Sequence, residues 1–198
     1  MGGTFNPIHI GHLRMAQEAI EAHCLDEVWL IPNGRPPHRE VVDTSPEDRH
    51  VMTLLASLEH SRLRVSRVEI DEPSQPYSFQ TVDRLKRQFP NLDFFFLTGA
   101  DAVLSYVWKN FDQLLGAVKG FIVCPRPGFD WERLKVKLSA ENLKHQDKMV
   151  FLEIPMLEVS STDIRARVQT GKSLRFLVPR SVEEYILRQR LYLPRADS

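Results

Sequence analysis

The eleven residues from Gly2 to His12 restrict the fold more than any other stretch of this chain. They hold three glycines, one proline and two histidines, and an amphipathic run with apolar positions at Leu13, Ala16 and Ile20 follows at once. A glycine-rich turn running into a helix is built to receive phosphate. Small residues let the backbone approach the anion, and the helix start offers N–H groups and the positive end of the dipole. His9 and His12 add donors to that turn. Such a turn normally follows a β-strand that aims it. Only Met1 precedes Gly2, so a short strand ahead of Met1 is expected.

The rest of the chain alternates strands and helices. Helix periodicity marks Leu13–His23, a stretch from Ser45 to about His60, Ser78–Phe89, segments through Trp108 and over Phe111–Leu115, Trp131 to about Lys144, Ser161–Thr170 and Ser181–Gln189. Ser45 with Pro46 reads as a cap and first helical residue, and Ser181 with Glu184 as a capping box. Short apolar runs mark strands at Glu27–Pro32, Leu92–Thr98, Gly120–Cys124 and Val150–Ile154, and partial alternation marks one at Leu63–Ile70. This order implies an α/β fold, a Rossmann-like doubly wound parallel sheet with helices on both faces. Ligands in such folds sit beyond the carboxyl ends of the strands. Pro32 onward, Gly99-Ala100-Asp101 and Pro155 to Ser161 fall at such ends.

Composition narrows the function. Lys plus Arg and Asp plus Glu both number 26, and a chain without basic excess is a poor general binder of nucleic acid. No apolar run reaches the length of a membrane span, and no secretory leader is visible. Cys24 and Cys124 are the only cysteines, and Cys124 closes an apolar run, as a buried free thiol would. A cytoplasmic setting is expected.

The turn matches neither G-x-x-x-x-G-K-[ST] nor G-x-G-x-x-G, which excludes a P-loop and an ordinary dinucleotide fingerprint. A second helix start, Val159-Ser160-Ser161-Thr162-Asp163-Ile164-Arg165, carries hydroxyls and a guanidinium at the right places for a further phosphate. Read locally, it is equally a cap of Ser160 with Asp163. The two together, T-F-x-P-x-H-x-G-H and S-S-T-x-I-R, resemble the two motifs of the H-x-G-H nucleotidyltransferase superfamily. Pro36-Pro37-His38-Arg39, Gly99-x-Asp101 with Trp108, Arg126-Pro127-Gly128, and Leu177-Val178-Pro179 followed by Tyr185-Ile186 and Leu191-Tyr192 extend the likeness along the chain. They are similar to segments of bacterial nicotinate mononucleotide adenylyltransferases. Asn6 stands where many members carry Asp, and Ser78 follows Tyr77 where they show Thr.

The resemblance implies one nucleotidyltransferase domain over residues 1–198, with a small helical part from about residue 160. It implies transfer of AMP from ATP to nicotinate mononucleotide, giving deamido-NAD and pyrophosphate in NAD synthesis. The nucleophile is then a phosphate oxygen already ionised at pH 7, and no general base is required. Mg²⁺ is implied as a companion of the ATP phosphates, without ligands from protein side chains. His9, His12 and Arg165 are the implied catalytic residues. Gly3, Thr4, Phe5, Gly11, Gly99, Asp101, Ser160, Ser161 and Thr162 are those for ATP, and Ser78, Trp108, His38 and Arg39 those for the mononucleotide. Read locally, Trp108 is a core residue, Asp101 a helix cap, and His38 and Arg39 a solvated loop. Preference for nicotinate over nicotinamide stays open, as does the oligomeric state, a homo-oligomer included. Rival readings are a pantetheine-phosphate adenylyltransferase and a nucleotide-binding module without turnover.

Overall fold

A computed structural model gives the fold, describing residues 1–34, 44–72, 74, 76–105, 108–125, 129–141, 143–155 and 158–193. Six parallel strands form two three-stranded ladders. Strands β1 (Gly2–Gly3), β2 (Val28–Pro32) and β3 (Leu63–Val65) make the first, in that order. Strands β4 (Phe95–Gly99), β5 (Gly120–Cys124) and β6 (Met149–Phe151) make the second. Helices α1 (Ile10–Ala22), α2 (Pro46–Ser57), α3 (Ser78–Gln88), α4 (Ala100–Ser105), α5 (Phe111–Ala117), α6 (Trp131–Glu141), α7 (Ser161–Gln169) and α8 (Arg180–Arg188) alternate with them.

Strand β5 shows why the sheet is covered on both sides. All five of its residues are buried. Successive side chains of a strand point to opposite faces. Ile122 and Cys124 accordingly join the core that holds Ala16, Ala19 and Ile20 of α1 together with Met52, Ile164 and Ile186. Phe121 and Val123 join the other core, with Phe111, Leu114 and Leu115 of α5 and Leu134 and Leu138 of α6. The predicted parallel α/β architecture is thus present, divided into two ladders. The turn does follow a strand: Gly2 pairs with Ile31 and Gly3 with Pro32, and the Met1 nitrogen donates to the Trp29 carbonyl.

Several boundaries differ from the sequence reading. Helix α1 starts at Ile10, three residues early, so Gly11 and His12 lie in its first turn. Strand β3 stops at Val65, because turns occupy residues 68–70. Helix α2 ends at Ser57. Phe89, read as the last helical residue, is the C-cap of α3 and is exposed. The capping box on the last helix does not form. Pro179 is its N-cap, Glu184 binds Arg180 at 2.9 Å, and the Ser181 hydroxyl donates to the Leu55 carbonyl on α2. The Ser45 cap forms as read, with its oxygen accepting the Asp48 N–H at 3.0 Å. Among the described residues no helix is long and apolar enough to cross a membrane.

Candidate active site

The turn leaves β1 at Gly3 and enters α1 at Ile10. Phe5 adopts the left-handed region (φ 46°) and is buried, as are Asn6, Ile8 and His9. Left-handed backbone is costly for a residue with a Cβ and persists only where its surroundings hold it. Those surroundings are identifiable. The carbonyl of Gly3 accepts from the Asn33 N–H at 3.0 Å, and that of Thr4 from Arg49 Nη1 at 2.8 Å. The carbonyl of Asn6 accepts from Arg165 Nη1 at 2.7 Å, and that of Pro7 from Ser161 Oγ at 2.8 Å. In a trans peptide the N–H points opposite to the carbonyl. Holding the carbonyls of Gly3, Thr4 and Pro7 therefore turns the N–H groups of Thr4, Phe5 and Ile8 away from these donors. An anion is recognised by such N–H groups and repelled by carbonyls.

The histidines are stacked at the helix start. His9 is the N-cap of α1, and its main-chain N–H donates to Nδ1 of His12 at 3.2 Å. The ring centroids lie 3.7 Å apart, and the edge of Phe5 packs on His12 with centroids 5.1 Å apart. An acceptor at Nδ1 puts the proton of a neutral imidazole on Nε2, so His12 presents a donor on its far side. Gly11 permits this stack, since a Cβ there would meet the His9 ring at 3.1 Å. The N–H of Ile10, first in the helix, is taken by the Leu177 carbonyl at 3.0 Å.

Helix α7 brings the second motif to the first. Ser160 is its N-cap and accepts from the Asp163 N–H at 3.1 Å. Ser161 reaches Pro7, and Arg165 divides its guanidinium between the Asn6 carbonyl and Thr162 Oγ1, the latter at 3.2 Å. The two helix starts are thus joined directly, through one hydroxyl and one guanidinium.

The remaining candidates sit on other elements. Gly99 ends β4 within reach of Met15 on α1, and Asp101 is exposed in the first turn of α4. Trp108 packs among Phe96, Phe111 and Phe121, with its indole N–H donating to the Ala102 carbonyl at 3.1 Å. Ser78 opens α3, and Lys109 Nζ stands 4.7 Å from the centre of the Tyr77 ring, joining the Ser78 and Trp108 segments. His38, Arg39 and Arg126-Pro127-Gly128 lie outside the described residues. Among the described residues no group of three His, Cys, Asp or Glu side chains gathers in a way that would hold a metal.

Sequence reasoning missed Arg49 and the part played by Tyr192. Arg49 is fully buried, and burial lowers the pKa of its guanidinium. It shares one stripe of α2 with Met52, Thr53 and Ala56, also buried, and an arginine on an apolar stripe was the available signal. Tyr192 donates to Asn6 Oδ1 at 2.8 Å, and burial pushes its phenol pKa up.

Comparison with known proteins gives the family. Residues 1–167 match the cytidylyltransferase-like family. A protein of Moorella thermoacetica named probable nicotinate-nucleotide adenylyltransferase is 42% identical, over 100% of this chain and 92% of its own. One of Tropheryma whipplei with the same name is 37% identical over 97% of each. Among solved structures, Plasmodium falciparum nicotinic acid mononucleotide adenylyltransferase complexed with NaAD superimposes with TM-score 0.75 at 20% identity, covering 96% of this chain and 94% of the other.

Proposed function

From the membership of this chain in the cytidylyltransferase-like family, we propose that it is a nicotinate-nucleotide adenylyltransferase of NAD synthesis. The observation that carries the reading is the junction of two phosphate-type helix starts, Ser161 on Pro7 and Arg165 on Asn6. A triphosphate suits such a paired site better than a single phosphate does.

An oxygen of the mononucleotide phosphate attacks the α-phosphorus of ATP. A new P–O bond forms, the bond from the α-phosphorus to the β-bridging oxygen breaks, and pyrophosphate leaves. The acceptor is already an anion, so catalysis consists of alignment and of neutralising the charge that builds on pyrophosphate. His9 and His12 face the α- and β-phosphates, with His12 donating from Nε2. Ser160, Ser161, Thr162 and Arg165 hold the β- and γ-phosphates. Backbone groups at Gly3, Thr4, Phe5 and Gly11 line the path between. Gly99 and Asp101 take the nucleoside, Ser78 and Trp108 the pyridine end, and His38 and Arg39 the mononucleotide phosphate. Mg²⁺ carried on the ATP phosphates would supply charge neutralisation there. The chain acts as one domain in the cytoplasm.

The test is pyrophosphate release from Mg·ATP with nicotinate mononucleotide, nicotinamide mononucleotide or phosphopantetheine as acceptor. Release with nicotinate mononucleotide, faster than with either alternative, is the expected result. Release with phosphopantetheine alone, or with none of the three, rejects the assignment.

A further inference from the structure

Arg49 is fully buried, yet its guanidinium meets oxygens that carry no charge. Nη1 donates to the Thr4 carbonyl at 2.8 Å and to Asn33 Oδ1 at 3.1 Å, and Nη2 to the Gly34 carbonyl at 2.7 Å. Among the described residues no carboxylate forms an ion pair with it. Asp48, its neighbour in sequence, is engaged by the hydroxyls of Ser45 and Tyr185. A charge removed from water without a counter-ion is costly, and buried arginines are ordinarily paired.

The acceptors of Arg49 lie on the phosphate turn and on the exit of β2, where residues flank the site. A fold-stabilising role would need only neutral donors to these three oxygens, without burying a charge. The charge therefore needs a partner that arrives from outside. Resting on the adenylyltransferase reading, we propose that Arg49 is a positioning residue whose counter-ion is the bound triphosphate. It holds the Thr4 carbonyl away from the phosphates, and it places an unneutralised positive charge behind the turn. Arg165, on the Asn6 carbonyl, supports the same turn from its other end. The cost of the lone charge is borne by the empty protein and recovered when the polyanion binds.

Three full-length proteins test this: wild type, Arg49→Met, which keeps bulk without charge, and Arg49→Lys, which keeps charge without the fork. The readouts are the KM for ATP, the KM for nicotinate mononucleotide, kcat, and the rise in Tm caused by saturating Mg·ATP. At an effective dielectric of about 20, loss of a charge facing the phosphates across the turn should raise the KM for ATP roughly 10-fold or more. In Arg49→Met that rise should exceed the change in the other two constants, and the ATP-induced rise in Tm should shrink. Arg49→Lys should keep both near wild type. Undiminished ATP affinity in Arg49→Met overturns the proposal, as does a loss in Arg49→Lys equal to that in Arg49→Met. If Arg49→Met does not fold, Arg49→Lys decides. A KM for ATP within about 3-fold of wild type supports the charge role, and a larger rise overturns it. Failure of the adenylyltransferase reading looks different, because the wild type itself would then neither transfer AMP nor gain Tm with Mg·ATP.

Discussion

The phenol of Tyr192 donates to Asn6 Oδ1 over 2.8 Å, across 186 positions of sequence, and both residues are buried. The end of the described chain is thereby fastened to the middle of the phosphate turn. Tyr192 holds a left-handed backbone (φ 64°) to make this bond. Tyr192→Phe leaves a buried amide oxygen without its donor and is expected to destabilise the protein by about 1–3 kcal/mol. Urea unfolding measures this. Asn6→Ala should give a comparable loss, and the double variant less than the sum. Strictly additive losses would show that the two residues do not act as a unit.

His12 does two things with two ring nitrogens. Nδ1 accepts from the N–H of His9, which in a neutral imidazole puts the proton on Nε2. Asparagine reproduces the acceptor near the Nδ1 position and cannot reach as far as Nε2. His12→Asn should therefore unfold within a few degrees of wild type while turnover falls by roughly 10²-fold or more, as for loss of one preorganised donor. A collapse in Tm that accounts for the lost activity would assign His12 to the fold instead.

Gly34 passes so close to a neighbouring segment that a Cβ would stand 2.6 Å from the main-chain oxygen of Glu69. Backbone cannot step aside as a side-chain tip can. Gly34 also offers Arg49 its carbonyl. Gly34→Ala should cost about 1–3 kcal/mol of stability, as overpacking does, and should raise the KM for ATP along with it. A variant as stable as wild type would mean that Gly34 can shift away from Glu69 without disturbing the turn.

Burial pushes the Cys124 thiol up to about 12 and, with the Asp48 carboxylate, the Tyr185 phenol up to about 12. Both are acids whose neutral form the fold favours. The unfolded chain loses these protons first, so stability is intact below about pH 9 and falls as pH rises toward 12. Cys124 alone accounts for about 1.4 kcal/mol per pH unit across that window. Urea midpoints between pH 8 and 11 should fall less steeply in Cys124→Ala than in wild type. Parallel slopes would mean that the thiol titrates normally in the folded protein.

Much of the site was legible because its parts are local. The turn into α1, the Ser160 cap and the apolar run of β5 each depend on residues within a few positions of one another, and local spacing encodes them. Local signals also misled where a distant group competed. Ser181 and Glu184 fit a capping box, but α2 takes the serine hydroxyl and Arg180 takes the glutamate, so Pro179 starts the helix.

By itself the sequence determined the order of strands and helices, the two phosphate-type helix starts and the family. These follow from periodicity, capping and turn chemistry, which act over a turn or two of chain. The tertiary structure alone decided which groups aim the turn. Arg49 belongs to no motif of the sequence, and Tyr192 is read there only as part of the C-terminal family likeness. Each becomes part of the site only because packing of α2, α7 and residue 192 around residues 4–7 brings donors from 45, 159 and 186 positions away to single carbonyl and amide oxygens. A hydrogen bond has a strict distance and angle, and no spacing along the chain specifies either until the core has closed.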